Sequence, residues 1–179
     1  TLFQKQSQNG KSTKPSLNNS NNQTGTKQTE AISILANNLE IPWALAFLPD
    51  GRLLVTERPG RVRLIDNQAV SDPIATMNVR ASGEGGLHGI AIDPNFQANN
   101  NIYLYYTYSG SGENTLNKVV RYKFQNNALV EDKVVVDQIP GAMFHDGGRI
   151  KFGPDGYLYI TSGDAGQPSS AQNRNSLAG

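Results

Sequence analysis

From Ala31 onward the chain is a succession of short apolar runs, each closed by Gly, Pro, Asn or Asp at intervals of roughly 8–15 residues. Several runs alternate polar and apolar residues, as in Arg61-Val62-Arg63-Leu64-Ile65 and Lys118-Val119-Val120-Arg121-Tyr122-Lys123-Phe124. Alternation with a period of two puts one set of side chains on each face of a strand. The runs are rich in Val, Ile, Tyr and Leu, and no window carries a 3.6-residue period. The pattern predicts an all-β protein built from hairpins.

The pattern repeats. Trp43–Asp50-Gly51 leads into Arg52–Thr56, His88–Asn95 leads into Asn101–Tyr105 after an insertion, and Gly148–Gly156 leads into Tyr157–Thr161. The shared prolines stand at positions 49, 94 and 154. A repeat of about 40–50 residues with a few strands in each unit predicts propeller blades. Blade one is expected at 43–48, 52–57, 61–66 and 73–77, and blade two at 87–92, 102–108, 117–124 and 133–138. Blade three has 148–152 and 157–162. A further strand is expected at Ala31–Ala36. About four blades are needed to close a ring, so the chain is expected to hold the first two and a half blades of something larger. Leu45, Ile90 and Ile150 are then expected to face water, and Tyr157–Ser162 to be an unpaired edge.

Residues 1–30 differ from the rest. Nineteen of them are Asn, Gln, Ser or Thr, and Leu2, Phe3 and Leu17 are the only large apolar residues. Such a segment buries too little surface to offset its ordering entropy. The expected organisation is therefore a disordered low-complexity linker over 1–30 and a partial β-propeller over 31–179. The chain begins with Thr1, so a signal or anchor segment ahead of it stays open.

Charge and composition narrow the function classes. Sixteen Lys and Arg face fifteen Asp and Glu. The first 30 residues hold four lysines and one glutamate, which leaves twelve basic and fourteen acidic residues for the remainder. A near-neutral domain lacks the basic footprint of a nucleic-acid binder. No apolar run reaches the length of a membrane span. Without cysteine there are no disulfides, thiolate metal sites or cysteine nucleophiles, which accords with an oxidising compartment.

Gly83-Glu84-Gly85-Gly86-Leu87-His88-Gly89 superficially suggests a phosphate loop, but a strand and an Asp-Pro-Asn turn follow it where a helix would be needed. The glycines are better explained by close backbone approach. Aligning the blades on their prolines puts Glu84 and His145 just ahead of the innermost strands of blades two and three. Loops at that position gather at one end of a propeller channel. Asp164, in Ser162-Gly163-Asp164-Ala165-Gly166, leaves the strand that pairs with the one His145 precedes, so the two can meet. A carboxylate that accepts an imidazole N–H fixes the tautomer and raises basicity, which could make a general base. The competing reading is a structural histidine bonded within a turn. His88 and Trp43 are read as packing residues, and Asp50 and Asp155 as turn formers. Asp93, Asp146 and Asp164 could contribute to a calcium site, but no loop has a dense oxygen-ligand pattern.

Pro42–Gly51, Val55-Thr56-Glu57-Arg58, Gly83–Leu87, Asp93-Pro94-Asn95-Phe96, His145–Arg149 and Gly163–Gly166 together resemble the soluble pyrroloquinoline-quinone (PQQ)-dependent sugar dehydrogenases. The aldose sugar dehydrogenase branch is the nearer one. The resemblance covers residues 32–179. It implies a six-bladed propeller of four-stranded antiparallel blades in the full protein, and an enzyme outside the cytoplasm. It also implies PQQ and calcium as cofactors, an aldose substrate and an external electron acceptor. His145 matches the histidine that removes the anomeric hydroxyl proton, and Asp164 the aspartate that orients it. Glu84 matches a position beside the substrate, where the soluble glucose dehydrogenases carry Gln. Phe144 replaces an Asp of those enzymes. Arg149 follows the family pattern, with a structural or an axial role. The principal metal ligands and most cofactor-clamping cations are expected downstream of Gly179. Two other readings are a non-catalytic propeller that binds a protein or glycan, and a metal-dependent lactonase. The second should show axial Glu, Asn and Asp ligands, of which only Glu84 is evident.

Overall fold

The computed structural model describes residues 33–112 and 114–178. The compact unit that carries the strands begins at Ile34. The expected linker over 1–30 lies outside the described residues.

Three antiparallel sheets follow one another along the chain. The first contains β1 (Pro42–Phe47), β2 (Leu53–Glu57) and β3 (Arg61–Asp66), with β4 (Ala69–Val70) and β5 (Ala75–Thr76) both paired to β3. The second is β6 (Leu87–Ile92), β7 (Asn101–Ser109), β8 (Thr115–Gln125) and β9 (Ala128–Pro140), in that order. The third is the hairpin β10 (Ile150–Phe152) and β11 (Leu158–Ile160). One turn of helix, α1 (Phe96–Asn99), fills the insertion before β7, and a 3-10 turn at Pro168–Gln172 follows β11.

The alternation seen in the sequence sets the packing. Leu54, Val62 and Leu64 of the first sheet pack against Leu87, Ile90, Ile102 and Leu104 of the second. The opposite face of the second sheet, with Ala91, Tyr105 and Val119, meets Ile150, Phe152, Leu158 and Ile160 of the third. Ile90 and Ile150 are thus buried between sheets, contrary to the expectation that they face water. Leu45 does face water at 60% exposure, as does Phe47 at 64%, on the side of the first sheet away from the second. Among the described residues β11 pairs only with β10.

The other departures have local causes. The described residues of the strand expected at Ala31–Ala36 carry no strand; Ala36 instead packs with Leu39 on Leu53, Val55 and Ile65. The fourth position of blade one is split. Asn67 and Gln68, both at positive φ, turn the chain straight back into β4. Pro73 has no N–H to give the ladder, so bonding to β3 breaks there and resumes with Ile74 N–H, which donates to Val62 C=O at 2.9 Å and leads into β5. β9 begins at Ala128 instead of 133. Asn126 and Asn127 have φ of 50° and 57°, which makes the two-residue turn that matches strand twist. Asp50 and Asp155 do form turns, accepting from the N–H groups of Arg52 and Tyr157.

Candidate active site

Glu84 precedes β6, His145 precedes β10, and Asp164 follows β11, the antiparallel partner of β10. Antiparallel pairing returns the end of one strand beside the start of the next. Three loops therefore share one end of the sheets. Asp93, at the far end of β6, bonds Asn95 N–H, Asn101 and Tyr103 as a turn anchor away from this cluster.

The loops touch backbone to backbone. A Cβ on Gly83 would lie 2.1 Å from the carbonyl oxygen of Met143, and one on Gly163 would lie 1.8 Å from that of His145. Only glycine permits such approach. The glycine-rich segment before β6 thus serves close packing, as its sequence context indicates. Glu84 N–H donates to Met143 C=O at 2.9 Å, and Ala165 N–H to His145 C=O at 3.3 Å.

The side chains converge in the same place. His145 Nδ1 lies 2.8 Å from Asp164 Oδ1, which also accepts from Gly166 N–H at 2.9 Å. The bond from His145, then that from Gly166, holds the Asp164 carboxyl below the ordinary carboxylate range. An ionised Asp164 accepts a hydrogen bond from Nδ1–H, so Nε2 carries the free lone pair. The imidazole side chain is 58% exposed and the Asp164 side chain 19%. Glu84 Oε2 accepts from the backbone N–H of His145 at 2.7 Å. Phe144 packs its ring edge-on to the imidazole, 5.0 Å between centroids.

A buried layer supports these loops. His88 is stacked between Trp43 and Tyr105, at 4.8 and 6.0 Å, and its Nε2 bonds Glu84 C=O at 2.9 Å. Burial pushes its imidazole below the ordinary range, so it is neutral at pH 7. Asp146 is buried; its Oδ1 accepts from Ala142 N–H and Asn117 Nδ2, and its C=O accepts from Tyr105 OH at 2.8 Å. The Arg58 guanidinium donates to Gly83 C=O. The sequence assigns no role to Arg58, Tyr105 or Asn117, and Asp146, considered there for a calcium site, is a buried anchor of the loop before β10. The legible signal is Asn117, an amide at a fully buried position of the alternating strand β8.

Arg149 lies apart from the histidine and its two carboxylates. Its guanidinium sits 4.4 Å over the Trp43 ring. Both line a groove of about 630 Å³ formed by the first strands of the three sheets, together with Leu45, Ile90 and Ile150.

The sequence profile of the Glucose / Sorbosone dehydrogenase family matches residues 39–179. The chain belongs to this family. The aldose sugar dehydrogenase YliI of Escherichia coli is 33% identical over 159 residues, covering 84% of this chain and 43% of that protein. The PQQ-bound aldose sugar dehydrogenase of Streptomyces coelicolor matches with 34% identity and a TM-score of 0.75, over 83% of this chain and 45% of that one. The apo-form soluble aldose sugar dehydrogenase of E. coli matches with 32% identity and a TM-score of 0.76, over 82% and 44%. The sheets are thus blades of a β-propeller, and the chain spans less than half the length of the curated relatives it matches. Among the described residues no helix is long and apolar enough to cross a membrane.

Proposed function

We propose that this chain supplies the proton-accepting side of an active site that oxidises aldose sugars at the anomeric carbon to the lactone. The observation that carries the reading is the His145–Asp164 pair, with Nδ1 committed to a carboxylate and the ring open to solvent. His145 Nε2 takes the proton of the anomeric hydroxyl. Asp164 holds the tautomer and stabilises the imidazolium that forms. PQQ, when bound, supplies a two-electron acceptor for the hydride leaving C1. This chain's residues fit the cationic needs of such a planar polyanion at one point: Arg149, fixed over Trp43, would pair with a carboxylate.

Calcium is a different matter. Among the described residues no group of three or more His, Cys, Asp or Glu side chains could hold a metal ion, so no step is assigned to one here. An external electron acceptor and a location outside the cytoplasm belong to the same proposal, on the family resemblance.

The test is His145→Gln in the protein at its natural length. Sugar-driven reduction of the bound quinone is expected to fall by about 10²–10⁴-fold. Quinone affinity, titrated separately, should change little. Unchanged turnover would remove His145 from the chemistry.

A further inference from the structure

We propose that Glu84 is a positioning residue for His145: a carboxylate on blade two fixes the backbone of the base on blade three. The proposal rests on the reading of His145 as proton acceptor and adds to it what holds the base in place.

His145 has φ 63°, in the left-handed region that residues with a Cβ avoid. Such a conformation persists when its surroundings dictate it. Neither of its backbone polar groups is satisfied within its own loop. The N–H goes to Glu84 Oε2 at 2.7 Å, and the C=O takes Ala165 N–H at 3.3 Å. The first bond is charge-assisted and short, the stronger class of hydrogen bond. It spans 61 positions of sequence and joins two blades.

Glu84 is itself held firmly. Its N–H is bonded to Met143 C=O and its C=O to His88 Nε2. The preceding carbonyl, of Gly83, takes the Arg58 guanidinium. His88 is 1% exposed and clamped between two aromatic rings, so it is a rigid support. Constraint therefore runs from blade one through the Gly83–Gly85 loop to the peptide of His145, and Asp164 fixes the ring from the other side. The backbone bond sets where Cβ of His145 points, and the Asp164 bond sets the ring about it. Both are needed for one ring orientation. A misplacement of about 1 Å in a reacting group costs on the order of 10²-fold in rate.

The test uses the ¹⁵N-labelled protein at its natural length, without cofactor, as Glu84→Ala and Glu84→Gln. In Glu84→Ala the His145 amide is expected to exchange roughly 10–100-fold faster, while the Ile90 and Ile102 amides, in the sheet, keep their rates. Glu84→Gln retains an acceptor and should restore most of the protection. An unchanged His145 exchange rate in Glu84→Ala overturns the proposal. Should Ala disturb the fold, Glu84→Gln still decides: the His145 amide resonance moves upfield as its acceptor loses charge, and an unmoved resonance overturns the proposal.

Kinetics of the cofactor-loaded protein add a second readout. Glu84→Ala should lower kcat by about 10–100-fold with sugar KM nearly unchanged, and Glu84→Gln should recover most of kcat. A raised KM at constant kcat would mean that Glu84 only contacts the sugar, and would also overturn the proposal. Absence of aldose turnover in the unsubstituted protein overturns the reading of His145 as the base, whereas the exchange rates still report whether Glu84 holds its backbone.

Discussion

The carbonyl oxygen of His145 occupies the space that a side chain on Gly163 would need, 1.8 Å from where its Cβ would stand. The two loops are therefore in direct backbone contact. Gly163→Ala must push them apart by more than side-chain adjustment can absorb. We expect quinone reduction to fall by about 10²-fold, from lost alignment of the imidazole. Turnover of the cofactor-loaded variant measures this, and retention of quinone affinity separates it from unfolding. Wild-type turnover in Gly163→Ala would show that the contact does not fix the ring.

Asp164→Asn tests the tautomer. The ionised carboxylate selects Nδ1–H, whereas an amide can donate to Nδ1 and select Nε2–H instead. The depressed Asp164 pKa means that this selection is present above the ordinary carboxyl value of 3.8 and is lost as pH falls through the lower, folded value. Neutral solution lies inside the window. We expect a lower rate, together with imidazole ¹⁵N shifts at pH 7 that report a proton moved toward Nε2. Unaltered shifts and rate would leave Asp164 as a turn former.

His88 predicts an acid limb of stability. Burial lowers its pKa from the ordinary 6.5. The unfolded chain then takes up a proton before the folded one does. This contribution is complete above pH 6.5 and declines as pH falls toward the folded value. The melting temperature should start to drop below about pH 6.5, above the range where the depressed carboxylates Glu57, Asp93 and Asp164 titrate. His88→Phe keeps a stacking ring and should flatten the slope between pH 7 and pH 5. An equal slope in both proteins would assign the acid lability elsewhere.

Leu45 and Phe47 predict self-association of a polypeptide made of these 179 residues alone. They stand side by side on the face of β1 that no described sheet covers. Exposed apolar faces of this kind recruit partners or aggregate. Light scattering should show species larger than 19.4 kDa. The double substitution Leu45→Lys, Phe47→Glu should shift the distribution toward the monomer. A monodisperse monomer of the unsubstituted polypeptide would show that the face tolerates water.

The sequence carried the elements whose signals are local. Alternation placed β3 and β8, because a half-buried strand must sort its side chains by face, and the repeated proline turn placed β2, β6 and β7, which are buried on both faces. Register and loop order brought His145 to Asp164, because a hairpin has one way to return. What was not legible depends on partners distant in sequence. Nothing near Glu84 shows that its carboxylate is taken by a peptide N–H 61 positions away. The burial of Asp146 follows from Asn117 and Tyr105, which belong to another sheet. The start of β9 falls at Ala128 and not at 133 because Asn126 and Asn127 alone close the hairpin, Asn tolerating the left-handed conformation that so short a turn requires.

The bond from His145 to Glu84 also gives the site a birth order. The glutamate leaves the ribosome 61 residues ahead of its partner, a delay of about 3–12 s at usual elongation rates. A hairpin needs about 1–10 μs to form, so β6 to β9 can close once Pro140 has emerged, about 0.25–1 s before His145 follows it at the same rates. The histidine then emerges beside a finished wall and is drawn into its unusual backbone shape by an acceptor already waiting there. Disturbing the earlier sheet during translation would therefore misplace the base even where every later residue is intact.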